Sequence, residues 1–298
     1  MEIGNWKATQ GLNETFRAAR ELGIESNLLE LEAFGFTVVP AYQAAPKAFF
    51  DRLRDAVYHL VTTEDASAVD LNLQKDEDRP AYGRQFFHLM VKDRVFAESL
   101  INPYTLTFGR YLLGTSCRFY SQVAFFKTGK VGTTHLHSDS TGMPPPLPHY
   151  GNVCNISWVL TDYTVENGTF YMVPGSHRTC RHPIDMEQPR FMGGPAADDI
   201  GTPVLAEAGS LIVFHGNTWH GTVPKTSEGP RVHVANALCR NYVNPAETTD
   251  DIPEEFVEAL GPEFAALIGR EAWQGYGGEG PKIQRMMKMR PAQQSQYA

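Results

Sequence analysis

No stretch of this chain approaches the ~18 uninterrupted apolar residues of a membrane-spanning helix, so a membrane protein is not expected. The opening Met1-Glu2-Ile3-Gly4-Asn5-Trp6-Lys7 lacks a basic region followed by an apolar run, and no secretory signal is read there. Basic residues are outnumbered, 26 Lys and Arg against 34 Asp and Glu, for a formal charge of −8. Without a basic stripe, nucleic acid and anionic membranes are excluded as natural partners. Cysteine is scarce: Cys117, Cys154, Cys180 and Cys239 are widely spaced and form no C-x-x-C pair. They read as free, mostly buried thiols in a reducing cytosol, which gives a cytoplasmic location as the expectation. No internal repeat of fixed period is present.

The composition is otherwise that of a globular chain able to bury a core, with 42% hydrophobic and 20% charged residues. A single domain over 1–298 is expected, mainly helical in 1–115, a β core in 116–245, and a closing helix and tail in 246–298. Apolar residues recur at helical spacing over Asn13–Leu22 and Pro46–Val61, as in Phe49, Leu53, Val57 and Leu60. Val91–Leu113 also reads as helical, interrupted at Pro103, and Glu254–Leu267 as a further helix. Phe34–Pro40 reads as a short strand, residues 63–82 as a polar surface excursion, and the end from Pro291 as a polar, frayed tail. From Cys117 onward, short β-rich runs alternate with Gly, Pro, Asn and Asp turns: Arg118–Phe126, Val153–Leu160, Thr169–Val173, Ser210–Phe214, His220–Val223 and Val232–Leu238. That texture predicts a mainly β fold with flanking helices, a double-stranded β-helix or jelly roll.

Within this pattern, His137 and Asp139 stand two apart, so on a strand both leave the same face. An imidazole and a hard carboxylate, joined by a distant histidine, make the set that holds ferrous iron on one face and leaves the other open. His220 is the best third ligand, since it follows the strand-like Gly209–Phe214 and the Gly216–Trp219 turn. A His-x-Asp pair alone is weak, because it occurs often by chance. His135 also shares period two with His137, as in a His-x-His cupin site, but the glutamate such a site needs is missing, with Thr141, Gly142 and Met143 there instead. His215, on the run before His220, is a further histidine that could take a ligand role. A guanidinium at Arg231 offers a planar fork matched to a carboxylate, and Thr222 shares the strand face of His220.

With these residues, with Glu166-Asn167-Gly168 and with Val173-Pro174-Gly175-Ser176-His177, the chain resembles the phytanoyl-CoA dioxygenase family of Fe(II)/2-oxoglutarate oxygenases, specifically over about Arg118–Arg240. The resemblance implies that His137, Asp139 and His220 ligate iron and act as the catalytic set. It implies that Arg231, eleven residues after the distal histidine, binds the far carboxylate of 2-oxoglutarate with Thr222 assisting. It further implies a cosubstrate environment that includes Trp158, His135 and Gln122. His233 occupies a position that is small or hydroxylic in related oxygenases, and it faces either the cavity or the core. His177 reads as a structural hydrogen-bonding residue.

The chemistry so implied uses Fe(II), 2-oxoglutarate and O₂, yields succinate and CO₂, and oxidises a small organic molecule, in secondary or specialised metabolism. Because Asp139 keeps the carboxylate that related halogenases lack, hydroxylation is favoured, with desaturation, epoxidation or ring formation open. The proline-rich Thr141–Gly151 segment is expected as a stiff lid or a rigid spacer, with Tyr82, Arg84, Gln85 and Phe87 as further candidate substrate contacts. The competing readings are a jelly-roll ligand-binding module without turnover and a peptide or protein hydroxylase on the same fold. Oligomeric state is left open.

Overall fold

The computed structural model describes residues 8–64, 83–128 and 131–270, together with 276–277, 280–281 and 283. The polar excursion from residue 65 to 82, including Tyr82, and the tail from Pro291 lie outside the described residues. Helices come first. They are α1 (Ala8–Glu21), α2 (Glu25–Phe34), the single turn α3 (Ala41–Ala44) and α4 (Lys47–Thr63), with strand β1 (Phe36–Val39) between α2 and α3. Helix α2 is not among the expected elements, although Ile24, Leu28 and Leu31, all buried, carry the three- and four-residue spacing of an apolar face.

After β2 (Arg84–Phe86), the expected break at Pro103 separates α5 (Arg94–Leu100) from α6 (Pro103–Leu113). Each has a side-chain cap: Asp93 accepts from the Val95 N–H at 2.8 Å and Asn102 from the Tyr104 N–H at 2.9 Å. Such caps satisfy donors that have no partner within the helix. Then follow β3 (Arg118–Thr128), β4 (Thr134–His137), β5 (Val153–Val159), β6 (Phe170–Met172), β7 (Thr202–Pro203), β8 (Leu211–His215), β9 (His220–Thr222) and β10 (Pro230–Cys239). The expected closing helix is two short ones, α7 (Glu254–Leu260) and α8 (Pro262–Leu267). They part because Pro262 has no N–H to continue the first and Gly261 turns at φ +88°.

Two antiparallel sheets face each other, one ordered β1-β8-β5-β10-β3-β2 and the other β4-β9-β6-β7. This is the expected mainly β, double-stranded β-helix with flanking helices. The outer face of the larger sheet carries Cys154, Ile156, Trp158, Leu211, Val213, Val232, Val234 and Leu238, which pack with the helices in one large core. Between the sheets at one end lies a second core of Val159, Tyr163, Phe170, Met172, Val204, Ile212 and Phe214. Full burial of each such side chain contributes about 1.5–3 kcal/mol.

The turn that precedes β9 is held from the N-terminal layer. Gly35 O accepts from the His215 N–H at 2.9 Å and from Thr218 Oγ1 at 2.8 Å. Gly35 has φ +86°, and a Cβ there would strike the side chains of Thr218 and His177, so only glycine fits. Among the described residues, no helix is long and apolar enough to cross a membrane.

His215, at the end of β8, is buried, and its Nδ1 accepts from the Asn217 N–H at 3.0 Å. Burial, then the neighbouring His177 and Arg240, push it down to about 3. In the unfolded chain it returns to an ordinary value near 6.5. Between those values only the unfolded state takes the proton, so stability present above about pH 6.5 is lost as the pH falls toward 3. Urea unfolding of the metal-free protein should therefore lose roughly 2 kcal/mol more between pH 7 and 5 in the wild type than in His215→Asn, at about 1.4 kcal/mol per pH unit. Parallel pH profiles for the two proteins would refute this.

Candidate metal centre and its cavity

Strand β4 pairs with β9 so that Thr134 lies opposite Thr222 and His137 opposite His220. Three steps along β4 thus match two along β9, which is a β-bulge, and the bulge breaks the alternation of side chains. Its consequence is that Thr134 and His137 both face the space between the sheets, while His135 is exposed outside. The expectation that His135 shares the face of His137 is corrected on this ground. Asp139 follows immediately, its backbone N–H bound to Gly216 O at 2.8 Å.

These residues converge. His137 Nε2 lies 3.7 Å from Asp139 Oδ1, and His220 Nε2 lies 3.6 Å from Asp139 Oδ2. One ligand atom from each falls within 4.8 Å of the others, the one such cluster among the described residues. Each histidine is oriented by its own backbone: Nδ1 of His137 bonds His135 O and Nδ1 of His220 bonds Thr218 O, both at 2.9 Å. A carbonyl can only accept, so Nδ1 carries the proton and the Nε2 lone pair is free toward the centre. Burial pushes His220 down to about 4, although the Asp139 carboxylate pulls the other way. A neutral imidazole is what metal ligation requires. Asn155 Nδ2 donates to Asp139 Oδ2 from strand β5.

A cavity of about 360 Å³ runs from this cluster between the sheets. The inward side chains of β10, Arg231, His233, Ala235 and Ala237, line it, as do Val153, Asn155 and Ser157 of β5. Strand β3 contributes Lys127, Phe125, Val123 and Ser121. A second bulge, where β3 passes from Ser121 to Phe119 against Ala237 and Leu238, turns Tyr120 inward as well. Thr222 lines the wall with its Oγ1 accepting from the Thr134 N–H at 2.8 Å, which leaves the hydroxyl proton free to donate.

Two expected cosubstrate contacts stand elsewhere. Trp158 is fully buried on the outer face of β5, where its ring packs 5.2 Å from that of Phe49 of α4, and its neighbour Ser157 faces the cavity instead. Gln122 is likewise outward on β3. Its Nε2 donates to Phe96 O at 2.9 Å and Asn236 Oδ1 at 2.8 Å, tying the sheet to α5. Both miss the cavity for one reason: period two sends them to the helical side. His177 and His215 pack together at 5.4 Å, and neither lines the cavity. His233 is buried, lines the wall and stacks on Phe125 at 4.5 Å and 6°.

The Thr141–Gly151 segment is pinned rather than loose. Leu147 N–H donates to Cys180 O at 2.6 Å, Asn217 Nδ2 to Pro148 O at 2.8 Å, and His182 Nε2 bonds Met143 O at 2.9 Å. Of its residues, only Thr141 lines the cavity. From the N-terminal part Gln85 reaches the wall, whereas Arg84 and Phe87 do not.

The end of the cavity away from the cluster holds an electrostatic conflict. Arg231 and Lys127 are direct cross-strand partners, each 2% exposed. Arg231 donates to Gly168 O and to the Tyr163 hydroxyl at 3.2 Å, and its guanidinium stacks over the Tyr163 ring at 4.7 Å. Neither cation is paired with an acidic side chain among the described residues. Burial, then the Arg231 charge, holds Lys127 well below the ordinary lysine value. Like charges directly opposite are destabilising, so this end is built for an anion from outside.

Over residues 31–233 the sequence matches the phytanoyl-CoA dioxygenase (PhyH) family. The chain belongs to that family. Dioxygenase af480 of Aspergillus fumigatus is 25% identical over 253 residues, covering 83% of this chain and 77% of that protein. Two further fungal dioxygenases align over 37% and 33% of their own lengths. Among solved structures, HygX from Streptomyces hygroscopicus with nickel and 2-oxoglutarate bound has a TM-score of 0.59 at 18% identity, covering 78% of this chain and 93% of that one. EctD from S. alaskensis with 2-oxoglutarate and 5-hydroxyectoine has 0.59 at 20% identity, over 82% and 86%. Likeness at that identity speaks for the family fold.

Lys127, Ser157, Asn155 and Tyr120 are absent from the sequence reading of this PhyH-family site. The signal for Lys127 was available: it continues the alternation of Ser121, Val123 and Phe125 one residue beyond where the β-rich run ends at Phe126. His137→Ala and His220→Ala should each lower divalent-metal affinity more than about a hundredfold, beyond the range of changes around a ligand. His135→Ala should leave it within about twofold. Calorimetric titration with Mn(II) checks both, and a large loss in His135→Ala would return that residue to the site.

Proposed function

We propose that this chain is an Fe(II)- and 2-oxoglutarate-dependent dioxygenase that oxidises a small organic molecule of specialised metabolism, with hydroxylation as the favoured outcome and succinate and CO₂ as coproducts. The observation that carries the proposal is one cavity with two matched ends, a His137-Asp139-His220 cluster and the buried basic pair Arg231 and Lys127. The residues fit the group they would hold. Buried polar atoms at the wall, Ser157 Oγ, Arg231 Nε and His233 Nδ1, have no hydrogen-bond partner. Such atoms are costly unless a ligand satisfies them.

Iron and 2-oxoglutarate, when bound, supply the activation of O₂ and the oxidising power. The chain does the rest. Arg231 offers two parallel N–H donors to the far carboxylate, the Thr222 hydroxyl donates beside it, and Lys127 adds a second positive charge. His137, Asp139 and His220 would hold the metal with three protein ligands. Val123, Phe125, Val153, Ala235 and Ala237 form apolar wall that excludes water and takes up hydrocarbon. Gln85, Tyr120, Ser121 and Thr141 supply the few polar groups that orient a substrate. Asp139 keeps its carboxylate, which favours hydroxylation over halogenation.

A cavity of about 360 Å³ suits a small molecule better than an extended peptide. A binder without turnover has no use for a metal cluster facing a dicarboxylate anchor.

Mixing the protein anaerobically with Fe(II) and 2-oxoglutarate should give a weak visible charge-transfer band that His137→Ala abolishes. No band in the wild type, or an unchanged band in the variant, would overturn the reading. Succinate release across a panel of neutral and charged compounds then narrows the substrate. Lys127→Met should weaken 2-oxoglutarate binding roughly ten- to a hundredfold, the range of a charged hydrogen bond. The same change should raise the melting temperature of the ligand-free protein, because it replaces a buried amine that faces Arg231 with an apolar side chain. Unchanged cosubstrate affinity would remove Lys127 from the anchor.

A further inference from the structure

We infer that Asn155 is a positioning residue for the metal: by donating to Asp139 Oδ2 it fixes the rotation of that carboxylate and leaves Oδ1 as the oxygen offered to the ion. The inference rests on the proposed use of His137, Asp139 and His220 as metal ligands.

Three observations carry it. The first is the bond itself, from Asn155 Nδ2 to Asp139 Oδ2. The assignment of the amide is forced by chemistry, since its carbonyl end would repel the carboxylate whereas its NH₂ end can only donate. The second is origin. Asp139 hangs after the short β4 on a single backbone bond to Gly216 O, while Asn155 sits mid-strand in β5, opposite Phe214 on one side and Ala237 on the other. A rigid central strand therefore orients a group carried by a turn. The third is symmetry: the two carboxylate oxygens lie 3.7 and 3.6 Å from the two histidine Nε2 atoms. The histidines alone do not choose between them. Asn155 occupies a lone pair of Oδ2, so it breaks the tie toward attachment through one oxygen. One-oxygen attachment preserves the coordination positions that a second carboxylate oxygen would fill.

Asn155 also touches both the cluster and the open wall. It lines the cavity between Val153 and Ser157. No protein donor among the described residues reaches its Oδ1, so that oxygen is available to whatever occupies the cavity.

The test uses Asn155→Leu, which keeps the shape and removes the donor, and Asn155→Gln, which keeps the donor and extends into the cavity. Mn(II) affinity followed by the EPR signal of the free ion should fall about ten- to a hundredfold in Asn155→Leu and recover to within about threefold of wild type in Asn155→Gln. With Fe(II) and 2-oxoglutarate under anaerobic conditions, the visible band of Asn155→Leu should shift from the wild-type position, which a packing role would not produce. Should Asn155→Leu fail to fold, Asn155→Ala replaces it with the same expectations. Wild-type Mn(II) affinity together with an unshifted band in the folded variant overturns the inference. The Mn(II) result is independent of the cosubstrate. Absence of the band in the wild type counts against the 2-oxoglutarate reading, and the Mn(II) series still decides the role of Asn155.

Discussion

Successive side chains of a strand leave opposite faces, and in the larger sheet of this protein the two faces meet different media. One is pressed against helices and must be apolar or internally hydrogen-bonded. The other borders a cavity, where polar and charged groups persist with some of their atoms unpartnered. On β10 this sorting separates Arg231, His233, Ala235 and Ala237 from Val232, Val234, Asn236 and Leu238. On β5 it separates Asn155 and Ser157 from Ile156 and Trp158. The position of nearly every site residue depends on this parity, and the two bulges are where parity is reset to bring His137 and Tyr120 inward.

The electrostatics follow from that geometry. A medium of low polarizability magnifies any unmatched charge. Arg231 and Lys127 face each other there, with aromatic rings of Tyr163 and Phe170 partly compensating the guanidinium at 4.7 and 5.7 Å. At the other end, backbone carbonyls bond Nδ1 of both histidines and aim their Nε2 atoms inward, and the carboxylate is oriented by an amide. One end gathers two basic side chains, and the other presents a carboxylate and two imidazole nitrogens. The cavity is thus polarised along its length, and a molecule with a carboxylate at one end and metal-binding oxygens at the other matches both.

Much of this is legible in the sequence, for reasons that differ by residue. His137, Asp139, His220 and Arg231 are recognisable because their spacing along the chain survives whatever the strands do in space. The mainly β class with flanking helices is legible from run length and turn composition. Alternation along β3 marks Lys127 as inward, but its role comes from standing opposite Arg231, which is a matter of register between distant strands. Trp158 attracts attention as a large aromatic near the motif, yet parity sends it to Phe49, and the unremarkable Ser157 takes the inner position. His135 fails for a subtler reason: period two holds only in an unbulged strand. Helix α2 is missed because the β-branched run after it dominates the local pattern, although its apolar spacing is present.

The bulge in β4 has an evolutionary corollary. With three residues spanning the distance that two span on β9, the strand holds histidines at both His135 and His137, and its length decides which one is presented. Loss of one residue between Thr134 and His137 would restore regular pleating and slide the chain by a notch. At this place the number of residues matters to the site as much as their identity. Descendants that keep every ligand but change the count between them would lose the centre without losing a single coordinating atom.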